Sequence, residues 1–327
     1  MKTTVLCCLA FLLAVTGSER GGEFLPTAQQ PEAQALNVPP QIALGVTVEP
    51  GRWLKPLVEY LTSSTESEFV RAKVIHDWIA LNIEYCAEET AARALSGDLT
   101  AALITGRSAC AGYSNLFARM CSLAGMECRT VPGYTRDYGL DVFSDEDPTK
   151  VNHAWNAVKL AGEWRLVDPT WDAGRLREGR FERAYSTDYL FSGPGIFSHT
   201  HFPRDPQWQL RSRPLAEEEF ASQPSLRAEF HTLGLSLVDS LRRVNDVDGP
   251  AVVELQVPEE VSVYAKVMDR TGEVLVGRVR PERQHGKAKF DLRLPRGAER
   301  VAAIYASPDG RESRHVAVAF LGFRRRP

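Results

Sequence analysis

The stretch Arg107-Ser108-Ala109-Cys110-Ala111-Gly112-Tyr113 places a cysteine at the predicted start of a helix. Gly125 lies where a left-handed cap would end that helix. The helix is predicted from apolar residues at three- and four-residue spacing: Tyr113, Leu116, Phe117, Met120 and Leu123. Free backbone N–H groups and the helix dipole favour the thiolate form of a cysteine in the first turn. Cys110 is therefore a candidate nucleophile, and the alternative is a small buried residue.

A predicted β-hairpin downstream brings a histidine and an aspartate together. Its strands are His153–Leu160 and Glu163–Asp168. The dipeptide Ala161-Gly162 is a plausible two-residue turn between them, and this register places His153 opposite Thr170. Asp168 is then diagonal to His153 on the same face, where Cβ atoms are about 7–8 Å apart or somewhat less. The hairpin therefore predicts a hydrogen bond between the His153 ring and the Asp168 carboxylate.

Cysteine, histidine and aspartate in this chain order are the parts of a nucleophilic triad. We predict Cys110 as the nucleophile, His153 as the base, and Asp168 as the group that fixes the histidine tautomer. The backbone N–H of Cys110 is a candidate oxyanion-hole donor. Taken singly, a histidine at a strand start is often solvated, and an aspartate before proline often forms a turn. The residues predicted to line a substrate cleft are Gly112, Tyr113, Trp155 and Trp171.

Two further histidines, His199 and His201, are a rival source of imidazole. Their His-x-His spacing could suggest a metal site, but no Cys, Asp or Glu cluster completes one nearby in the sequence. Cys110 also lies outside any Cys-x-x-Cys pair. We therefore predict neither a metal site nor another cofactor.

The N-terminus has the layout of a secretory signal peptide. Met1 and Lys2 precede an apolar run from Val5 to Val15, and the small residues 16–18 end it. The run is too short to span a membrane, and its alternative is a buried N-terminal helix or strand. The sequence thus predicts a signal peptide over residues 1–18 and a secreted or periplasmic protein with no membrane attachment after signal removal.

A change of pattern along the chain predicts two domains of different class. Residues 19–48 form a flexible lead-in, residues 49–212 a mixed helix and strand domain, and residues 213–327 an antiparallel β-sandwich. The strands predicted for the sandwich are Ala251–Val257, Val261–Val267, Lys287–Leu294, Arg300–Ala306 and Arg314–Phe320. Further helices are predicted over Glu66–Ile83, Glu88–Leu95 and Leu99–Ile104. The fold class is therefore α+β.

The first of these helices has a predicted capping box and a predicted apolar stripe. Thr65 and Glu68 have the spacing of the capping box. On the helix, Trp78 is predicted to lie in the core and His76 at the surface.

Composition and cysteine usage limit the partners and the redox chemistry. The formal net charge of -3 argues against a nucleic-acid or membrane-surface partner. Loss of residues 1–18 would leave Cys86, Cys110, Cys121 and Cys128. Because a nucleophile must stay free, at most one disulfide among Cys86, Cys121 and Cys128 is compatible with catalysis. The alternative is that these three are small buried hydrophobic residues.

Three blocks of the sequence resemble the signature of the transglutaminase-like superfamily. They are Cys110-Ala111-Gly112-Tyr113, His153-Ala154-Trp155-Asn156 and Asp168-Pro169-Thr170-Trp171. The segment from Thr200 to Leu210 more loosely resembles the kyphoscoliosis-peptidase-like branch, in which a β-rich region follows the core. The resemblance implies a papain-like core of helices packed on an antiparallel sheet, followed by a small immunoglobulin-like sandwich. It also implies a Cys110, His153 and Asp168 triad that works through a thiol acyl-enzyme.

One residue departs from the family pattern. The family usually has glycine two residues before the cysteine, where this chain has Ser108. Glycine can adopt backbone angles that are closed to serine, so we expect an altered approach to Cys110.

The resemblance and the triad together predict a secreted cysteine peptidase or amidase that acts on a protein or cell-wall substrate. If a lysine amine replaced water, the same thioester would make the protein a transglutaminase. We favour hydrolysis, because the sequence shows no acidic loop of the EF-hand type that would give calcium dependence. A third hypothesis is a binding or scaffolding module that keeps the fold without turnover.

Overall fold

The computed structural model describes residues 51–86, 99–136, 140–143, 147–177, 179–295, 299–309 and 315–325. The predicted signal peptide, the predicted lead-in up to residue 48 and the predicted helix Glu88–Leu95 lie outside these residues. Among the described residues, no helix combines the length and the apolar composition that crossing a bilayer requires.

The first domain consists of helices that pack on one face of a small sheet. Its helices are α1 (Gly51–Thr62), α2 (Glu68–Asn82), α3 (Leu99–Thr105), α4 (Cys110–Leu123), α5 (Pro169–Ala173) and α6 (Pro194–Phe197). Its strands are β1 (Glu84–Tyr85), β2 (Arg107–Ser108), β3 (Cys128–Thr135), β4 (His153–Leu160), β5 (Glu163–Val167), β6 (Gly174–Arg177), β7 (Arg180–Arg183) and β8 (His201–Pro203). Short 3-10 turns cover Leu140–Phe143 and Pro206–Gln209.

The central sheet has the antiparallel order β5-β4-β3-β8. Helices α4 and α2 pack together over it, and their apolar stripes bury a common core. The largest fully buried side chains of that core include Ile75, Ile79, Ile83, Tyr113 and Phe117. The predicted helix at Cys110 is confirmed over Cys110–Leu123, and Gly125 follows it at a φ of 81°, the left-handed conformation that glycine favours.

The predicted capping box at the start of α2 is wrong. Ser67 is the N-cap of this helix and makes no side-chain capping hydrogen bond. The Glu68 carboxylate instead accepts a hydrogen bond of 2.6 Å from the backbone N–H of Ala161. Ala161 and Gly162 have φ values of 49° and 85°, as a type I′ hairpin turn requires. Glu68 therefore joins the helix to the hairpin that presents His153.

The surface placement of His76 is also wrong, whereas the core placement of Trp78 is confirmed. Both side chains are buried, and the His76 imidazole hydrogen-bonds Asp172 and Asp77. The helical stripe did not mark this position as buried, because a histidine enters the core only when polar partners compensate its ring nitrogens. Asp77 is the next residue in the chain, whereas Asp172 lies 96 residues away.

The second domain is a β-sandwich. Its helices are α7 (Glu217–Ser222) and α8 (Ala228–Thr232). Its strands are β9 (Ser225–Leu226), β10 (Ser236–Leu237), β11 (Val244–Val247), β12 (Ala251–Gln256), β13 (Ser262–Met268), β14 (Val274–Val279), β15 (Glu282–Gln284), β16 (Lys287–Leu292), β17 (Glu299–Ser307) and β18 (Val316–Arg325).

The two sheets of the sandwich have the orders β10-β12-β16-β15 and β11-β18-β17-β13-β14, and β9 also pairs with β18. Alternating inward residues of both sheets form one apolar core, which confirms the predicted sandwich. The pairing differs from the prediction at one point, because β11 runs parallel to β18. These two strands are far apart in sequence, so no short hairpin forces them to be antiparallel.

Polar and apolar contacts connect the sandwich to the first domain. The buried Arg136, which follows β3, donates hydrogen bonds to the carbonyl oxygens of Phe220 and Gln223. Val142 and Phe143 pack in an apolar cluster with sandwich residues that include Met268 and Phe320.

A glycine in β3 makes the closest backbone approach in the sheet. Gly133 pairs with His153, and a Cβ atom at this position would lie 2.5 Å from the Phe202 carbonyl oxygen and overlap the Trp155 ring. We expect Gly133→Ala to destabilise the protein by about 1–3 kcal/mol, because the added methyl group overpacks the sheet behind His153. Urea unfolding followed by circular dichroism measures this effect.

Gly277→Ala is the matched control, because Gly277 also lies in a strand and a Cβ atom there would meet open space. We expect this variant to stay within about 0.5 kcal/mol of the native chain. Equal unfolding midpoints for the two variants would contradict the steric explanation.

Candidate active site

Cys110 is the first residue of α4, and its thiol is partly exposed. The preceding residue, Ala109, is the N-cap in an extended conformation and makes no side-chain capping hydrogen bond. Its carbonyl oxygen accepts hydrogen bonds of 2.9 Å from Gly112 N–H and 3.1 Å from Tyr113 N–H. The N-terminal end of the helix dipole thus lies at the cysteine and favours the thiolate.

Ser108 is held in a short parallel pair of strands before the helix. It pairs with Tyr85, and its carbonyl oxygen accepts a hydrogen bond of 2.9 Å from Cys86 N–H. The described non-glycine residues with positive φ are Ala161, Phe191, Leu210 and His285, so Ser108 is not among them. Serine at this position therefore needs no left-handed backbone conformation, since strand geometry is open to any residue. The expected change in the approach to Cys110 stays a prediction.

His153 and Asp168 are hydrogen-bonded at 2.7 Å between Nε2 and Oδ2, as the hairpin predicted. The register of the hairpin is also confirmed, with Leu160 opposite Glu163. The predicted pairing of His153 with Thr170 is wrong, however, because β5 ends at Val167 and Pro169 begins a helix. Proline is favoured at the first helical position, where its missing N–H costs nothing.

Asp168 thus reaches His153 as the N-cap of α5. Its Oδ1 atom accepts hydrogen bonds of 2.9 Å from Thr170 N–H and 3.2 Å from Trp171 N–H. Its Oδ2 atom faces the imidazole of His153. The cap therefore fixes the rotation of the carboxylate, which a position within a strand would not do.

The Cys110 thiol completes the row of three side chains. Its nearest polar neighbours include the His153 side chain and the backbone N–H of Ala154, and both lower the pKa of the thiol. Because Nε2 of His153 is engaged by Asp168, Nδ1 is the ring nitrogen left for the sulfur. The structure therefore brings together the three residues that the sequence predicted as a triad.

The three groups hold one another in charged form. Burial disfavours the thiolate, but the combined effect of the side chain and charge of His153 and of the backbone N–H of Ala154 is larger and lowers the pKa of Cys110. Burial also disfavours the imidazolium, but the combined effect of Asp168 and Cys110 is larger and raises the pKa of His153 to about 10. The charge of His153 in turn lowers the pKa of the buried Asp168 carboxyl. A thiolate and imidazolium pair with a buried carboxylate behind it is the reactive form of a cysteine nucleophile.

His201 also lies at this site, on the same carboxylate. Its Nε2 atom is 3.1 Å from Oδ2 of Asp168, and its Nδ1 atom is 2.8 Å from Oγ1 of Thr200. Burial lowers the pKa of His201 to about 4, so this ring is neutral at pH 7. His153 lies beside the Cys110 thiol, whereas within this row of side chains His201 hydrogen-bonds the carboxylate of Asp168.

The other rival histidine lies elsewhere. The His199 ring packs against the His231 ring of α8, with a distance of 5.0 Å between the two ring centroids. It therefore belongs to the contact with the second domain.

The ligand atoms of His153, Asp168 and His201 lie within 4.8 Å of one another, a grouping that could hold a metal ion. Sequence spacing alone did not reveal this grouping, because Asp168 lies far from the His-x-His pair along the chain. At 2.7 and 3.1 Å, both imidazole to carboxylate distances are those of hydrogen bonds. The Nε2 atom of each ring is thus hydrogen-bonded to the Asp168 carboxylate.

The residues predicted to line the cleft divide into two groups. Gly112, Tyr113 and Trp155 are buried, so they support the site from behind and do not line an open cleft. The Tyr113 hydroxyl donates a hydrogen bond of 2.5 Å to the Ile83 carbonyl oxygen, and burial raises the pKa of Tyr113. Trp171 is half-buried, with its ring centroid 5.9 Å from that of His153, so it can contact a substrate.

A second buried histidine and aspartate pair, which the sequence did not indicate, lies one helical turn beyond the triad aspartate. His76 Nε2 is 3.0 Å from Asp172 Oδ2, and Asp172 Oδ1 accepts a hydrogen bond of 2.6 Å from Ser186 Oγ. The sequence contains one indication of this pair, the four-residue spacing of Asp168 and Asp172, which places both on one face of α5. Its significance depends on His76, which is 96 residues away along the chain.

All four described cysteines carry free thiols. Cys86 and Cys121 are buried, which fits the alternative reading as small hydrophobic residues. Cys121 and Cys128 are hydrogen-bonded to each other, and burial raises the pKa of Cys121.

Comparison with known proteins identifies both domains. The family model of the transglutaminase-like superfamily matches residues 55–169, and the model of the KY-like, immunoglobulin-like domain matches residues 217–321. Kyphoscoliosis peptidase of Mus musculus is 36% identical over 220 residues, which cover 64% of this chain and 32% of that protein. Hillarin of Drosophila melanogaster is 28% identical over 240 residues, which cover 68% of this chain and 29% of that protein.

The chain spans about a third of the length of these curated relatives. Among solved structures, a crystal structure of a TGase aligns with 38% of this chain and 34% of that chain, at 21% identity and a TM-score of 0.28. The two family models match in the order of the two domains described above. The chain therefore contains a domain of the transglutaminase-like superfamily followed by a KY-like, immunoglobulin-like domain.

Proposed function

We propose that this chain is a cysteine peptidase or amidase that hydrolyses peptide or side-chain amide bonds of a protein substrate through a Cys110 thioester. The observation that carries the proposal is the row of three side chains in which His153 is hydrogen-bonded to Asp168 at 2.7 Å and lies close enough to Cys110 to lower the pKa of the thiol. The peptidase name of the relative that is 36% identical supports it further.

The proposed reaction proceeds in two steps. The Cys110 thiolate attacks the amide carbonyl carbon, the C–N bond breaks, and the His153 imidazolium gives its proton to the departing amine. A water molecule then attacks the thioester, and His153 accepts a proton from that water. The C–S bond breaks, the acid product leaves, and the thiolate and imidazolium pair is restored. Asp168 stays ionised throughout and stabilises the imidazolium.

The Cys110 N–H group is the donor that we propose for the oxyanion of both tetrahedral intermediates, since it begins α4. The half-buried Trp171 is the residue that we propose to contact the substrate beside His153. We propose an extracytoplasmic location for this activity, on the basis of the apolar run predicted as a signal peptide over residues 1–18.

Selective alkylation tests the proposed nucleophile. We expect iodoacetamide at mildly acidic pH to label Cys110 ahead of Cys86, Cys121 and Cys128, because the lowered pKa keeps Cys110 as thiolate where an ordinary thiol is protonated. His153→Gln is expected to slow this labelling at least about tenfold, the effect of one pKa unit. Peptide mass spectrometry measures the label at each cysteine.

His315→Gln is the control for loss of an imidazole, because the His315 ring pairs with Ser262 in the second domain. Labelling at Cys110 is expected to be unchanged in this variant. Equal, slow labelling of all four cysteines in the native chain would reject the proposed nucleophile and favour a non-catalytic binding module.

The acceptor of the acyl group decides between hydrolysis and amine transfer. A glutamine-containing peptide incubated with the protein, with and without a primary amine, gives an acid or cleaved product if water is the acceptor. An amine adduct would instead make the protein a transglutaminase that works through the same thioester.

A further inference from the structure

We propose that His201 is a positioning residue of the active site: as a neutral imidazole it donates a hydrogen bond to Asp168 and holds the carboxylate oxygen that serves His153. The proposal rests on the proposed function of Cys110, His153 and Asp168. It extends that function because it adds a second, non-basic histidine to the row.

The hydrogen bonds of Asp168 show why a second donor is needed. An ionised carboxylate accepts about four hydrogen bonds and donates none. Oδ1 accepts from Thr170 N–H and Trp171 N–H, while Oδ2 lies 2.7 Å from Nε2 of His153 and 3.1 Å from Nε2 of His201. All four acceptor positions of this carboxylate are thus used, and loss of His201 leaves one of them empty on a side chain with no solvent exposure.

The tautomer of His201 follows from its two partners. Nε2 must carry a proton, since the carboxylate can only accept. Nδ1 of the neutral ring is then an acceptor, and the Thr200 hydroxyl at 2.8 Å is its donor. The Tyr189 hydroxyl lies 3.5 Å from the same Thr200 oxygen and can donate to it. A directional chain from Tyr189 through Thr200 and His201 therefore ends on Asp168.

The surroundings of the ring keep it neutral and immobile. Aromatic side chains enclose it at centroid distances of 4.6 Å (Trp171), 4.7 Å (Phe197), 4.9 Å (Trp155) and 5.2 Å (Tyr189). The ionisable groups that act on it are Asp168 and Asp172, which favour its charged form, and His153, which disfavours it. Burial in this enclosure outweighs the acidic neighbours, so His201 does not compete with His153 for the catalytic proton.

Two substitutions at position 201 separate a hydrogen-bonding role from a packing role. His201→Leu fills the aromatic enclosure but has no hydrogen-bond donor. In His201→Gln, the amide N–H can take the position of the replaced Nε2, and the amide oxygen the position of the replaced Nδ1. We expect His201→Leu to slow alkylation of Cys110 at mildly acidic pH about tenfold, since the variant loses a hydrogen bond to a charged group. The acid limb of the plot of alkylation rate against pH should move to higher pH. His201→Gln is expected to retain the native rate within about threefold, given the restored hydrogen bond.

His199→Leu is the matched control, because His199 lies two residues away and packs against His231 instead of the triad. We expect its alkylation profile to match the native one. Thr200→Val provides a second route if His201→Leu does not fold, since it removes the donor to Nδ1 and leaves the imidazole in place. We expect it to shift the acid limb in the same direction, with Thr200→Ser restoring the native profile.

Alkylation needs no substrate, so the two proposals fail separately. Absence of preferential labelling at Cys110 in the native chain would reject the proposed function. Preferential labelling in the native chain together with a native profile in His201→Leu, or in Thr200→Val, would overturn the role of His201 alone. A native chain that loses preferential labelling in chelator and regains it with zinc ions, while His201→Leu binds no zinc, would make His201 a metal ligand and overturn the positioning role.

Discussion

Asp168→Asn is expected to lower turnover about 10⁴-fold, because the substitution places the wrong tautomer on His153. An asparagine can cap α5 with its amide oxygen in the place of Oδ1, where Thr170 N–H and Trp171 N–H donate. Its amide nitrogen then replaces Oδ2 and presents N–H groups to His153. His153 Nε2 must become an acceptor, and the proton moves to Nδ1, the nitrogen that should receive the thiol proton.

The same substitution removes the charge that stabilises the His153 imidazolium. The pKa of His153 is therefore expected to fall from about 10 towards its ordinary value, and the pKa of Cys110 is expected to rise. The acid limb of the Cys110 alkylation profile should move upward, and labelling at mildly acidic pH should fall about 10²-fold as the thiol becomes protonated. Alkylation that is quenched at timed intervals and followed by peptide mass spectrometry measures this change without a substrate.

Asp205→Asn is the matched control. Asp205 also caps a short helical turn that begins with proline, and its carboxylate accepts a hydrogen bond of 3.1 Å from Gln207 N–H. It lies outside the triad, so alkylation of Cys110 in this variant should match the native chain. A native alkylation profile in a folded Asp168→Asn protein would show that Asp168 does not control the histidine.

Local patterns in the sequence predicted the parts of the site that depend on short-range geometry. The two-residue turn fixed the register of the hairpin, and helical periodicity fixed the start of the cysteine helix. A local error concerns Asp168, which the alternation predicts in a strand although the following Pro169 favours a helix start. The hydrogen bond to His153 forms in either case, because a residue just after the strand can still reach the end of its partner strand.

The parts that could not be predicted are those that distant segments bring together. His201 lies 33 residues from Asp168, and His76 lies 96 residues from Asp172. Each histidine is buried only because a carboxylate compensates it, and no spacing rule connects partners on separate elements. Distance along the chain also explains the wrong capping box, since the hydrogen-bond partner of the Glu68 carboxylate, Ala161 N–H, is 93 residues away.

The pair of His76 and Asp172 stabilises the end of α5 opposite to its cap. Burial disfavours the charged form of His76, but the hydrogen bonds and the negative charges of Asp172 and Asp77 together are larger and raise its pKa to about 9. Asp172 also accepts a hydrogen bond of 3.1 Å from Tyr189 N–H, and the Tyr189 carbonyl oxygen accepts one of 3.1 Å from Asp168 N–H. The pair is therefore coupled through Tyr189 to the backbone of the triad aspartate.

Asp172→Asn is expected to destabilise the protein by about 3–5 kcal/mol, because it leaves a buried imidazolium without its main counter-charge. An asparagine has only one acceptor oxygen. It therefore cannot accept hydrogen bonds from the Ser186 hydroxyl, from Tyr189 N–H and from the protonated His76 ring at the same time. Urea unfolding at pH 6 measures the loss. Glu59→Gln is the control, since the pair of Glu59 with Lys55 is exposed on α1 and is worth about 0–1 kcal/mol.

The pH dependence identifies the cause of that loss. The pKa of His76 is higher in the folded protein, about 9, than its ordinary value of about 6.5, so the pair stabilises fully below pH 6.5 and the stabilisation is lost as pH rises through about 9. The gap in unfolding free energy between the native chain and Asp172→Asn should thus narrow between pH 6 and pH 9.5. Because His153 remains in both proteins, its own titration cancels in this difference. A gap that stays constant with pH would attribute the loss to packing and not to the charge of His76.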